Sequence, residues 1–286
     1  MPDHEPESKS FAFPKVSREL RLRCASAAVV GLGSLAVLYW GRQPFAVLLT
    51  GLTAAMAWEW GRIVRGVDAD RITAIHAGST VLAIALASID MTGLALAVVA
   101  IGAAAAFAMS DGAAPPALTA VGVFYTGLPA IALEWLRSDA SLGFLAVLFI
   151  ILVVAATDTA AYASGRTIGG PKLWPAVSPN KTWAGLIGGA AAATVVGAVF
   201  PALSGSGEAP WLAVLGLVLG LTAQAGDLAE SALKRRFGVK DSSNLIPGHG
   251  GFMDRFDGLV AAAVVSGIVA LVIEAGVPAR ALLYGD

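Results

Sequence analysis

Residues 141–164 read SLGFLAVLFIILVVAATDTAAYAS, and in these 24 residues the only formal charge is Asp158. A helix rising 1.5 Å per residue needs about 20 mostly apolar residues to cross a hydrocarbon core of about 30 Å. The run is unbroken rather than alternating, which excludes a strand of a membrane β-barrel. The rest of the chain agrees: 57% of its 286 residues are hydrophobic and 14% are charged, against about 25% charged in soluble domains. So few charges cannot cover a water-facing surface, and the solvent for most of this protein is lipid.

With Gly, Pro and charged clusters as punctuation, the chain divides into nine apolar runs, near 22–40, 43–61, 72–89, 91–109, 117–136, 141–164, 183–203, 209–230 and 257–275. The predicted fold is an all-α polytopic integral membrane protein of about nine transmembrane helices. Residues 1–20 form a polar tail with prolines at 2, 6 and 14, and residues 21–286 form a single transmembrane catalytic domain. The first span is expected to stay uncleaved, because no small-residue cleavage site leads into a soluble domain. Lone Cys24 excludes a disulfide framework and a thiolate metal cluster. A net charge of −1 leaves no basic surface for nucleic acid.

Lys and Arg test the division. With the N-terminus cytoplasmic, sixteen of the 19 fall on the cytoplasmic side, while Arg42, Arg137 and Arg280 fall on the other. That asymmetry is the positive-inside pattern. It places two chemically rich loops, near 165–182 and 231–256, in the cytoplasm, where nucleotides and free Mg²⁺ are found.

Both loops follow helices that carry polar groups a simple anchor would not use. Asp158 sits about two turns before Gly165. Gln224, Asp227, Glu230, Ser231 and Lys234 recur at spacings of three and four, hence on one helix face. A carboxylate at such depth costs on the order of 3 kcal/mol unless it has a partner or a wet cavity. The second loop continues through Lys240-Asp241 to Gly248-His249-Gly250-Gly251 and then Asp254-Arg255-Phe256-Asp257. Glycines ahead of a helix N-terminus expose backbone N–H groups to an anion. Asp254 and Asp257, three apart, project from one face of the next helix. If the last two helices form a hairpin, Asp227, Asp254 and Asp257 converge, and crowded carboxylates call for a cation. Oxygen-only ligands suit Mg²⁺ or Mn²⁺ rather than zinc. Lys234, Arg235, Lys240 and Arg255 are candidate phosphate contacts. In the first loop Ser178, Lys181 and Thr182 are phosphate-friendly groups, with Arg166 beside them. Ser178 is equally a candidate N-cap for the next helix.

The string SALKRRFGVKDSSNLIPGHGGFMDRFD, residues 231–257, resembles the signature of the phosphatidate cytidylyltransferases, also called CDP-diacylglycerol synthases. Ser231, Lys234-Arg235, Lys240-Asp241, His249-Gly250-Gly251 and Asp254-Arg255-Phe256-Asp257 stand at the spacings of that signature. Gly226-Asp227-Leu228, Asp158-Thr159, Ala161-Tyr162, Gly165-Arg166, Ser178-Pro179, Lys181-Thr182 and Trp58-Glu59-Trp60 are similar to further family segments, so the likeness runs over roughly 20–275. Ala184 departs, standing where many relatives carry a polar or acidic residue. The resemblance implies transfer of CMP from CTP to phosphatidate, giving CDP-diacylglycerol and pyrophosphate, by a homodimer. In a bacterium the compartment is the inner membrane. It also implies a Mg²⁺ centre on Asp227, Asp254 and Asp257 with a second cation, and catalytic roles for Lys234, Arg235 and His249. His249 is read first as a structural or phosphate contact, because phosphatidate is already an anionic nucleophile. Lys240, Asp241, Arg255, Gly250, Gly251, Ser178, Lys181, Thr182, Arg166 and Asp158 are the expected substrate contacts. The role of Glu59 is open. Two other readings are weighed: another CTP-dependent lipid phosphotransferase of membranes, and an ion-coupled transporter with Asp158 and Asp227 as ion sites.

Overall fold

The computed structural model describes residues 18–286 except 111, 113 and 247–249. The polar tail up to Ser17 and the candidate His249 therefore lie outside the described residues. Each of the nine apolar runs is a helix: α1 (Arg18–Trp40), α2 (Arg42–Arg65), α3 (Arg71–Ala87), α4 (Thr92–Ala108), α5 (Pro116–Arg137), α6 (Gly143–Thr167), α7 (Trp183–Ser204), α8 (Ala209–Arg236) and α9 (Met253–Glu274). By length and composition α5 to α9 are able to cross a membrane, and shorter apolar helices cover Val29–Trp40, Arg71–Ala87 and Thr92–Ala108. In lipid every backbone polar group must be satisfied within the protein, and a helix does this within its own segment.

Consecutive helices from α2 onward pack side by side. One end of the bundle therefore gathers the last turns of α2, α4, α6 and α8 and the first turns of α3, α5, α7 and α9. Glycine sets how closely they approach. A Cβ on Gly216 would strike the Ala193 carbonyl, and one on Gly197 would strike that of Leu212, so α7 and α8 touch backbone to backbone. Small residues give lipid-embedded helices this close contact. Gly185 and Gly189 likewise lie against the backbone of α6, as a packing role for the α7 glycines requires. Next to this seam lies the main core, where Phe149 of α6 meets Phe200 of α7 edge to face at 5.2 Å.

Two polar knots tie the ends. At one, the Arg65 guanidinium donates to Asp70 at 2.8 Å while Asp70 caps α3 by accepting from the Thr73 N–H. At the opposite end Arg42 joins Asp90 (2.8 Å), buried Glu134 (2.9 Å) and the Ala87 carbonyl (2.7 Å). Asp90 turns the chain between α3 and α4 with a positive φ, so the two runs it separates are distinct helices.

Two elements lie beyond the sequence expectation. A short antiparallel hairpin, β1 (Lys172–Trp174) with β2 (Ser178–Thr182), joins α6 to α7. Pro171, Pro175 and Pro179 bar a helix there. A seven-residue helix, α10 (Pro278–Tyr284), closes the opposite end, with Ala279, Ala281, Leu282 and Leu283 fully buried and the Trp211 indole N–H donating to the Leu282 carbonyl at 2.8 Å. The α7 cap also differs: Thr182, not Ser178, accepts from the Gly185 N–H at 3.1 Å.

Gly216→Val should force α7 and α8 apart and cost about 2 kcal/mol, lowering the melting temperature of the detergent-solubilised protein. Gly51→Ala, at a position facing open space, should leave it unchanged or raise it slightly. Equal melting of the two variants would refute the close-contact role of the α7–α8 seam.

Candidate active site

At the end of the bundle that gathers α6, α7, α8 and α9 lies a cavity of about 740 Å³. Helical spacing builds its walls. Asp158, Tyr162 and Gly165 occupy one face of the last turns of α6, and Gln224, Asp227 and Lys234 one face of α8. Asp254 and Asp257 come from the first turn of α9, and the hairpin supplies Lys172, Asn180 and Lys181.

The deepest charges are the most constrained. Lys234, 8% exposed, donates to Asp254 Oδ1 at 2.5 Å, and its ammonium also lies 2.7 Å from Oε2 of buried Glu230. The Glu230 contact is one of charge, since its oxygens make no hydrogen bond of good geometry. A buried cation between two carboxylates holds because breaking such a set strands a charge in a medium that solvates it poorly. Asp254 spends its other oxygen on the Ser242 N–H (2.9 Å), the Ser242 hydroxyl (2.8 Å) and the Gly251 N–H (2.8 Å). A carboxylate offers about four acceptor sites, and Asp254 receives four donors, three of them on Oδ2. Asp254 thus fastens the loop between α8 and α9.

A second fastening comes from far away in sequence. Glu59 of α2, fully buried, accepts from the Ser243 hydroxyl at 2.5 Å, the Phe252 N–H at 2.9 Å and the Met253 N–H at 2.8 Å. These N–H groups head α9, so the carboxylate caps the helix from outside and complements its dipole. Gly251 is wedged between them, and a Cβ there would collide with both the Ser242 hydroxyl and Glu59. This corrects one expectation. The Gly251 N–H, among the glycine donors expected to meet an anion, is taken by Asp254, while Glu59 takes the N–H groups of Phe252 and Met253.

Asp227 is more open. Lys181 reaches across from β2 to lie 2.6 Å from its Oδ2, again as a charge contact without hydrogen-bond geometry. Asp257 accepts from the Gly258 N–H at 2.8 Å. Asp158, Asp227 and Asp257 share the cavity wall, and their oxygen-only chemistry suits a hard divalent cation. As the side chains stand, no trio of His, Cys, Asp or Glu among the described residues is drawn together around one metal position.

Of the residues singled out in the sequence, Asp158, Arg166, Lys181, Thr182, Asp227, Lys234, Asp241, Asp254, Arg255 and Asp257 line this cavity. Arg235 and Lys240 do not; they are exposed outside it, with Arg235 donating to the Val239 carbonyl at 3.2 Å. Ser178, Gly250 and Gly251 also stand off the wall, and the glycines shape the loop instead. Tyr162, Lys172 and Asn180 are additions as contacts, and Gln224, read on the polar face of α8, joins the wall. Tyr162 and Gln224 had a signal in their spacing from Asp158 and Asp227, four and three residues away. Glu59 had only its oddity, an acid between two tryptophans.

Glu59→Ala leaves three donors without their acceptor and should cost about 3 kcal/mol, with faster limited proteolysis in the loop before α9. Glu59→Gln keeps an acceptor oxygen and should fall between it and the parent. Loop cleavage at the parental rate in both variants would remove Glu59 from this role.

Comparison with known proteins agrees with this geometry. The chain is 53% identical over 146 residues to the phosphatidate cytidylyltransferase of Brucella suis biovar 1 (strain 1330), covering 51% of this chain and 54% of that protein. It is 44% identical over 138 residues to the phosphatidate cytidylyltransferase of Staphylococcus saprophyticus, covering 48% of this chain and 52% of that one. The aligned stretch thus spans about half the length of the curated relatives it matches. The profile described as Cytidylyltransferase family matches residues 21–273, which take in every helix that lines the cavity. The chain belongs to the cytidylyltransferase family.

Proposed function

We propose that this protein is a phosphatidate cytidylyltransferase, transferring CMP from CTP to phosphatidate to give CDP-diacylglycerol and pyrophosphate. The observation that carries the reading is a single cavity, at one end of a membrane-type bundle, in which five aspartates and five Lys/Arg side chains meet. Two substrates that are both phosphate anions need such a mixture, with cations to hold phosphate and carboxylates to hold a metal. The same names on the relatives support it.

A phosphate oxygen of phosphatidate attacks the α-phosphorus of CTP, and the bond to the bridging oxygen of pyrophosphate breaks. The nucleophile is already an anion near pH 7, so the chain's task is to position it and balance charge. Lys181, now paired with Asp227, and Arg255 face the space where phosphate oxygens would stand. Lys234 keeps Asp254, and through it the loop, in place beside them. Asp227 and Asp257, with Asp158 opposite, would hold Mg²⁺; Asp254 would join them only by giving up contacts it now makes. When bound, the ion would lower the repulsion between the substrates and stabilise charge on the leaving pyrophosphate. A second cation is expected with it.

The topology proposed with this activity has nine spans, a cytoplasmic N-terminus and the cavity open to the cytoplasm, in the inner membrane of a bacterial host. The Lys/Arg asymmetry supports that orientation. The proposed assembly is a homodimer.

Purified protein given labelled CTP, phosphatidate and Mg²⁺ should yield labelled lipid, chelation should abolish the yield, and Mn²⁺ should restore at least part of it. Asp227→Asn and Asp257→Asn should each reduce turnover by roughly 10²–10³-fold while still eluting as folded protein. Uptake of a solute into vesicles without CTP turnover would overturn the reading in favour of a transporter.

A further inference from the structure

The cavity has two chemically distinct walls. One consists of α8, α9 and the loop between them, and holds Asp227, Asp241, Asp254 and Asp257 with Lys234 sequestered among them. The other consists of the end of α6 and the hairpin, and holds Arg166, Lys172 and Lys181. Lys181 alone of these three meets a carboxylate among the described residues. Arg166 donates to the Tyr162 hydroxyl at 3.2 Å, a neutral partner that leaves its charge unspent. Lys172 is exposed at the start of β1.

The second wall also lies on the least covered side of the bundle. Only 22% of the most apolar window of α7 is buried, against 39–50% in the other four long apolar helices. The hairpin that leads into α7 therefore sits at the rim of the bundle rather than over its centre. Around it the large side chains are bare: Tyr162 is 68% exposed, Ile168 74%, Trp174 52% and Trp183 50%. Aromatic rings with a polar edge settle at headgroup depth, where one end is apolar and the other wet. Lys and Arg beside them extend into the same layer.

From this arrangement we infer that the hairpin wall is the lipid subsite: Arg166 and Lys172 bind the phosphomonoester headgroup of the lipid substrate, while Trp174 seats the hairpin among neighbouring headgroups. The inference rests on the proposed reaction and adds which wall takes which substrate. A lipid phosphate must reach the cavity while its acyl chains stay in the bilayer, and this wall is both cationic and beside lipid. The nucleotide, arriving from water, is left the carboxylate wall, where a divalent cation would offset its triphosphate charge.

Two measurements test it. Equilibrium binding of labelled phosphatidate without CTP, and of labelled CTP without lipid, should separate in Arg166→Gln and Lys172→Gln. Each variant should lose roughly tenfold in phosphatidate affinity, the size of one charge-assisted contact, and keep CTP affinity within about twofold. In steady-state assays the same split should appear as a raised KM for phosphatidate at unchanged KM for CTP. Trp174→Ser should raise KM for long-chain phosphatidate in vesicles and not for monomeric dihexanoyl phosphatidate, which separates bilayer docking from phosphate recognition. Loss of CTP affinity with phosphatidate binding intact, or no change in either, would overturn the assignment. Parent protein that binds phosphatidate through Arg166 and Lys172 yet makes no labelled lipid would overturn the reaction and leave the subsite standing.

Discussion

A charge removed from water has to be matched by its surroundings, and at the functional end of this bundle one ammonium does the matching. Lys234 lies within 2.7 Å of both Glu230 and Asp254, and each of those acids would be untenable alone at that depth. Because Glu230 and Lys234 belong to α8 and Asp254 to α9, the balance also fixes how these helices approach. The loop between them then hangs from Asp254 through Ser242 and Gly251. Electrostatic pairing and loop shape are thus one problem with one solution.

That solution divides the acidic residues by task. Asp254 and Glu59 hold backbone N–H groups and so fasten the loop before α9 and the head of α9 itself. Asp158, Asp227 and Asp257 line the cavity instead, with Asp227 paired to Lys181 across it. The basic residues divide likewise: Lys234 is spent within the protein, whereas Arg166, Lys172 and Arg255 face the cavity with no carboxylate partner among the described residues.

The helices were legible in the sequence because lipid enforces a coarse rule, long apolar runs, and because glycines and charges mark their ends. Much of the site was legible too, since Asp227, Lys234, Asp254 and Asp257 follow helical periodicity and that periodicity is local. What escaped depends on distant partners. Glu59 acts on residues 184 to 194 positions away, and nothing near Trp58-Glu59-Trp60 announces them. Gly251 was readable as a backbone donor, but its acceptor, Asp254, was not. Arg235 and Lys240 share the charge of their neighbours yet sit on the wrong side of the helix end. The hairpin escaped because its prolines exclude a helix without specifying what replaces it. The short α10 escaped because seven residues hold too little periodicity to read.

The tie between Glu59 and the head of α9 also bears on how the protein is made. Helix α2 leaves the ribosome long before α9 does, since some 190 residues are synthesised between them. Until the last long helix arrives, Glu59 lacks the two N–H donors that head it, and Glu230 and Lys234 lack their third member. The site is therefore completed only when α9 docks, bringing Asp254 to the Glu230–Lys234 pair and the Phe252 and Met253 N–H groups to Glu59. A chain stopped short of Met253 would leave Glu59 without the N–H groups that head α9 and Lys234 without Asp254.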